Sequence, residues 1–163
     1  MLDNLSILVD NLGAGQLALQ LGNSINEFVS KNHELDIIVF YDHMHRQCIM
    51  PNFTIMQMAE AWCQAGPAIA TSIATAIKLV DFPGPDLKMF YVWDLEWMRG
   101  PQRVWGIFED VFTHEDLVLI ARCEEHKKVI DQCFNVNVPY IVEDASIPQF
   151  IEALREEYDG QHK

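Results

Sequence analysis

The sequence predicts an α/β fold: one doubly wound, three-layer domain over residues 1–163, with a mainly parallel sheet of about six strands. Three observations carry this. Short runs rich in β-branched and aromatic residues alternate with segments whose apolar residues recur at helical spacing. The first run passes through Asp10 into a glycine turn and then a helix. The chain is 163 residues long and 50% hydrophobic, enough for one sizeable core.

The opening unit organises the rest. An apolar strand over residues 4–9 leads to Gly13-x-Gly15-x-x-Ala18. In such spacing the first glycine permits a tight turn, the second lets a ligand approach the backbone, and the small third residue lets helix pack on strand. The helix N-terminus presents free N–H groups and partial positive charge to a phosphate or carboxylate. A plain βα turn with no ligand would use the same glycines. The helix carries Leu17, Leu21, Ile25 and Phe28 on one stripe.

A second strand, residues 35–41, ends on Asp42, where a dinucleotide-binding fold holds a ribose and where any strand end also favours a polar residue. His43, His45 and Cys48 follow in a polar loop, at a spacing that matches no standard zinc motif. A short third strand falls at residues 53–58. Gly66-Pro67 then reads as a helix start, with Ile69, Ile73, Ile77 and Val80 on a buried face and the Pro83–Pro85 region as its stop.

A fourth strand over residues 88–93 runs into Asp94-Leu95-Glu96-Trp97-Met98-Arg99. Tryptophans, acids and an arginine beyond a buried strand suit either a ligand rim or aromatic packing with a solvated charge cluster. A helix over residues 102–112 places Val104, Phe108 and Val111 on one side. Trp93, Trp97, Trp105 and Phe112 are contact candidates where exposed and core where not. The fifth strand, Leu117 to Ala121, leads through Arg122, Cys123 and Glu124 into a helix with Val129, Ile130 and Cys133. A sixth strand near residues 138–142 has Pro139, which suits a sheet edge. Ser146 is placed to cap the last helix, with Ile147, Phe150, Ile151 and Leu154 inward and a polar tail from Tyr158 that frays. The expected strand order is 3-2-1-4-5-6.

Composition narrows the function. A net charge of −13 repels nucleic acid and anionic lipid, yet allows a local phosphate site or a partner with a basic face. No apolar run reaches the roughly 18 residues of a spanning helix, and the N-terminus has no basic leader region. The four cysteines form no C-x-x-C pair and read as reduced, buried or half-buried thiols of a cytoplasmic protein. No phosphate-binding P-loop and no G-x-S-x-G nucleophile motif is present.

Ligands of doubly wound sheets sit beyond the carboxyl ends of the strands. The candidate binding residues there are Asp10, Asn11, Gly13, Gly15, Asp42, His43, Arg99, Arg122 and Glu124, with Asp94 and Glu96 as candidate general bases. The glycine turn after strand one, the segment Leu119 through Ile130 and the strand Tyr140-Ile141-Val142-Glu143-Asp144 together resemble the N-terminal Rossmann-like half of a GT-B glycosyltransferase. The resemblance implies a nucleoside diphosphate sugar or sugar as ligand. Because that family reacts in a cleft between two domains, it also implies one of three things: assembly with another subunit or a second copy in a homo-oligomer that supplies the second domain, a reduced enzyme, or a non-catalytic derivative. In the first case Asp10, Gly13, Gly15 and Asp94 would face acceptor and donor phosphates. Two alternatives are a dinucleotide-binding protein, on Gly13, Gly15, Ala18 and Asp42, and a non-catalytic interaction domain on the same fold.

Overall fold

A computed structural model describes residues 2–13, 15–32, 34–46 and 49–161. Seven strands form one sheet in the order β3-β2-β1-β4-β5-β6-β7. They are β1 (Asn4–Asn11), β2 (Asp36–His43), β3 (Thr54–Gln57), β4 (Gly66–Ala70), β5 (Pro85–Val92), β6 (Leu117–Ala121) and β7 (Tyr140–Ile141). Every neighbouring pair is parallel. The helices are α1 (Gln16–Lys31), α2 (Ile73–Asp81), α3 (Trp105–Phe112), α4 (Glu124–Phe134) and α5 (Ile147–Gln161).

The strands read as continuous apolar runs because both faces of the sheet are covered. Leu5, Ile7 and Val9 of β1 pack with Leu21 and Ile25 of α1 and Phe150 and Leu154 of α5. Leu8 turns to the other layer, where Leu79 of α2, Phe112 of α3 and Ile130 of α4 meet Phe40 and Phe90. The alternation of side chains along one strand thus assigns each residue to one of two cores.

The largest correction concerns residues 66–70. The expected helix over Gly66-Pro67 is instead β4, a central strand between β1 and β5. Its small, alanine-rich composition resembles a helix, but position between two long strands overrides propensity. Proline is tolerated because the register shifts at Gly66/Pro67 and pairing with β1 begins only at Ala68. Gly66 has φ +93°, so the chain enters the sheet through a conformation that favours glycine. The strand order otherwise follows expectation, with this strand inserted beside β1.

The true helix start lies at Ser72. Its hydroxyl accepts from Thr75 N–H at 3.1 Å, and Thr75 Oγ1 accepts from Ser72 N–H at 3.0 Å, a reciprocal cap. The expected buried stripe is redistributed: Ile69 lies in β4, Ile73 is buried, and Ile77 is 41% exposed. Among the thiols, Cys63 and Cys133 are exposed and Cys123 is half-buried, so the expectation of buried thiols fails for two of them; Cys48 lies outside the described residues.

The last helix does not fray at Tyr158. It continues to Gln161, and Tyr158 Oη donates to Asp86 Oδ1 at 2.7 Å. The Ile147 N–H at its start donates to Ser24 Oγ of α1 at 2.9 Å, a bond across 123 positions that no local pattern announces. β7 is the sheet edge expected beside Pro139. Among the described residues no helix is long and apolar enough to cross a membrane.

Candidate functional site

The sheet order reverses at β1, which lies between β2 and β4, so the crevice of the doubly wound fold opens beyond its carboxyl end. Leu12 N–H donates to the His43 carbonyl at 3.0 Å, tying together the ends of β1 and β2. The chain then turns through Gly13 to Gly15, whose N–H donates to the Gly13 carbonyl at 3.0 Å. The two glycines differ in role. A Cβ on buried Gly13 would meet Asn11 Oδ1 at 2.7 Å, whereas a Cβ on exposed Gly15 would meet nothing within 4 Å. Open space at the second glycine is what a ligand approaching the backbone requires.

Two helix N-termini reach this crevice, and they are treated differently. Gly15 is the N-cap of α1, with extended backbone, no side-chain cap and no acidic residue in the first turn. The first N–H groups of α1 therefore keep their hydrogen-bonding capacity and partial positive charge. The start of α2 is closed from within. Ser72 and Thr75 cap each other, and Glu96 Oε1 accepts the Ile73 N–H at 3.2 Å.

Glu96 stands on a 3-10 turn (Glu96–Arg99) just past β5 and is half-buried. Burial pushes its carboxyl above the ordinary range; the Ile73 N–H opposes this, and the neighbouring Asp10 charge adds to the rise. Asp10, at the end of β1, is thus near enough for its charge to be felt at Glu96, on the turn after β5. The folded protein holds the Glu96 proton to higher pH than the unfolded chain does. Native protein therefore binds more protons in that window, and stability falls as pH rises from the unfolded value through the folded one. Glu96→Gln keeps the acceptor for Ile73 and removes the charge. Its expected effect is stabilisation at neutral pH by at most about 1 kcal/mol, since the carboxyl is still partly wet. Urea melts at neutral pH and below the ordinary glutamate value of 4.5 should show the gain vanish in acid; an equal gain at both would refute the assignment.

Asp94 is exposed and its carboxylate is taken by Arg99. Asp42 is engaged by Lys78 of α2, a partner 36 positions away that the sequence did not signal. The His43 and His45 rings stack with centroids 6.3 Å apart. Cys48, the third member of that polar loop, lies outside the described residues. Among the described residues no three His, Cys, Asp or Glu side chains gather as a metal set. Arg122 lies 3.8 Å over the Trp93 ring centroid, a cation–π stack on the rim, and Glu124 is exposed in the first turn of α4.

Tyr91 is a structural residue of this rim that pattern reading missed. Fully buried, it donates from Oη to the Val142 carbonyl at 2.9 Å and accepts the Ala145 N–H at 3.3 Å. Burial raises its pKa to about 12. The hydroxyl pins the turn after β7, in which Asp144 and Ala145 both have positive φ, 51° and 53°. A strand tyrosine with a polar tip is the only local hint of such a bond.

Two surface dents, of about 330 and 390 Å³, lie at the amino ends of β5 and β6, away from this rim. The first is lined by Thr113, Leu117 and Pro139 and the second by Asp86, Lys88 and Glu115. Comparison with known proteins finds no matching family model, curated protein or solved structure.

Proposed function

We propose that the crevice beyond β1 binds a phosphorylated, hydroxyl-rich ligand of the nucleotide-sugar class, as the likeness to a GT-B half suggests. The observation that carries this is the contrast between the two helix N-termini. α2 is closed by its own side chains, while α1 is left open behind a glycine with free space above it. Phosphate oxygens accept the N–H groups of α1. Glu96, beside Asp10, accepts the hydrogen bond of a sugar or acceptor hydroxyl, and is better placed for this than Asp94, which Arg99 occupies. Glycosyl transfer is the reaction when a second domain closes the crevice; alone, the chain is the binding half.

Thermal melts with nucleoside diphosphates, their glucose conjugates, inorganic pyrophosphate and NAD test this reading. A nucleoside diphosphate or its conjugate is expected to stabilise the protein by about 2.7 kcal/mol at a hundredfold excess over its Kd. Gly15→Asp supplies the missing cap. Its extended backbone accepts the side chain without strain, so basal stability rises by a few tenths of a kcal/mol while the ligand shift is lost. No shift with any nucleoside diphosphate or conjugate overturns the reading. A shift with NAD alone favours the dinucleotide alternative.

A further inference from the structure

Arg122 carries a charge that the chain itself does not answer. It follows β6 at the carboxyl rim and is half-buried. Among the described residues the other half-buried cations each hold an oxygen. Lys78 has the Asp42 carboxylate, Lys88 the Val80 carbonyl at 2.7 Å, and Lys127 the Val138 carbonyl. Arg122 forms no ion pair among the described residues. Acids are not scarce, since the chain has 24 of them against 11 lysines and arginines. Drawing a cation part-way out of water without an anion is unfavourable, and an incoming carboxylate or phosphate relieves that cost.

The guanidinium is nonetheless held in place. It lies 3.8 Å over the Trp93 ring centroid. Trp93 is braced in turn: its N–H donates to the Tyr91 carbonyl at 3.0 Å, and its ring leans on the Tyr91 ring with centroids 6.1 Å apart. The Tyr91 hydroxyl is fixed to the turn after β7. Little side-chain freedom is left for Arg122 to lose on binding, and its planar fork of donors suits two-point contact with a carboxylate.

Position relates this group to the crevice. Trp93 packs on the same face of the sheet as α1. β1, β4 and β5 are neighbours, so two inter-strand steps, about 10 Å, separate the end of β1 from the end of β5. A diphosphate joined to one hexose reaches about as far, from its first phosphorus to the substituent on the last sugar carbon. In a chain of net charge −13 an anionic ligand needs a local cation, and the start of α1 offers only partial charge.

We propose that Arg122, stacked on Trp93, binds a carboxylate on the sugar of the ligand and so selects a uronic acid conjugate over a neutral one. This rests on the nucleotide-sugar reading above and adds the class of sugar to it. The phosphates go to α1, and a sugar carboxylate is the anionic group such a ligand has left to offer.

Calorimetric titration of the full chain tests the selection. The probes are the glucose and glucuronate conjugates of uridine diphosphate, and the mannose and mannuronate conjugates of guanosine diphosphate. Within each pair only a carboxylate replaces a hydroxymethyl group. The acidic member of a pair is expected to bind about tenfold more tightly or better. Arg122→Gln brings that ratio close to one. Arg122→Lys, which keeps the charge without the fork, gives an intermediate ratio. Circular dichroism verifies that both variants fold, and the ratio in the unaltered protein does not depend on them. Equal binding of acidic and neutral members, or a preference that survives Arg122→Gln, overturns this inference and leaves the nucleotide-sugar reading standing. Binding of no conjugate overturns both.

Discussion

Phe150→Ala should be the most damaging single truncation considered, lowering stability by about 3–5 kcal/mol. Phe150 is 0% exposed and meets Tyr91 edge-on, with ring centroids 4.9 Å apart at 87°. It joins Ile147 and Leu154 in docking α5 on the sheet. The lost ring leaves a cavity against a tyrosine whose hydroxyl also holds the turn after β7, so the neighbours cannot collapse without losing those bonds. Urea unfolding should show a lower midpoint at unchanged slope. Ile77→Ala, on an exposed part of α2, provides the contrast, with an effect within about 0.5 kcal/mol. A loss below about 1 kcal/mol at Phe150 would mean that α5 is not packed as described.

Gly66→Ala comes next, with an expected loss of about 2–3 kcal/mol. Two costs combine. The φ of +93° is one that an L side chain rarely adopts, and the new Cβ would overlap the Asn4 side-chain oxygen. Asn4 can move only by giving up its 2.9 Å bond to the Ala65 carbonyl. Pairing the substitution with Asn4→Ala separates the terms. The overlap disappears while the backbone strain persists, so the double variant should still fall short of Asn4→Ala alone. Equal stability of those two proteins would show that the backbone at Gly66 is unstrained.

These two positions mark the boundary of what local pattern conveys. α5 was legible because Ile147, Phe150, Ile151 and Leu154 repeat at helical spacing, and one face of a helix has one destination. β1, β2, β5 and β6 were legible because long β-branched runs have no competing period. β4 was not legible. Five residues, Gly-Pro-Ala-Ile-Ala, all small but Ile69, satisfy a helix start as well as a strand, and only the neighbours on both sides choose. The cap that does start α2, Ser72 with Thr75, uses a threonine where a capping box usually has Glu or Gln.

The site divides in the same way. Asp10, Gly13 and Gly15 were placed at the crevice by the strand-turn-helix rule alone. The pairing of Glu96 with Asp10 and with the α2 N-terminus, the capture of Asp42 by Lys78 and of Asp94 by Arg99, and the Arg122–Trp93 stack required coordinates.

The amino-acid order by itself determined the layered α/β class, the reversal of strand order at β1 and the edge on which polar residues collect. These depend on side-chain period and glycine placement, which act over a few neighbouring positions. Tertiary structure alone decided that residues 66–70 are a strand, which helix start stays open, and which carboxylate is left half-dry beside another. Those outcomes turn on groups tens of residues apart competing for the same space and the same hydrogen bonds.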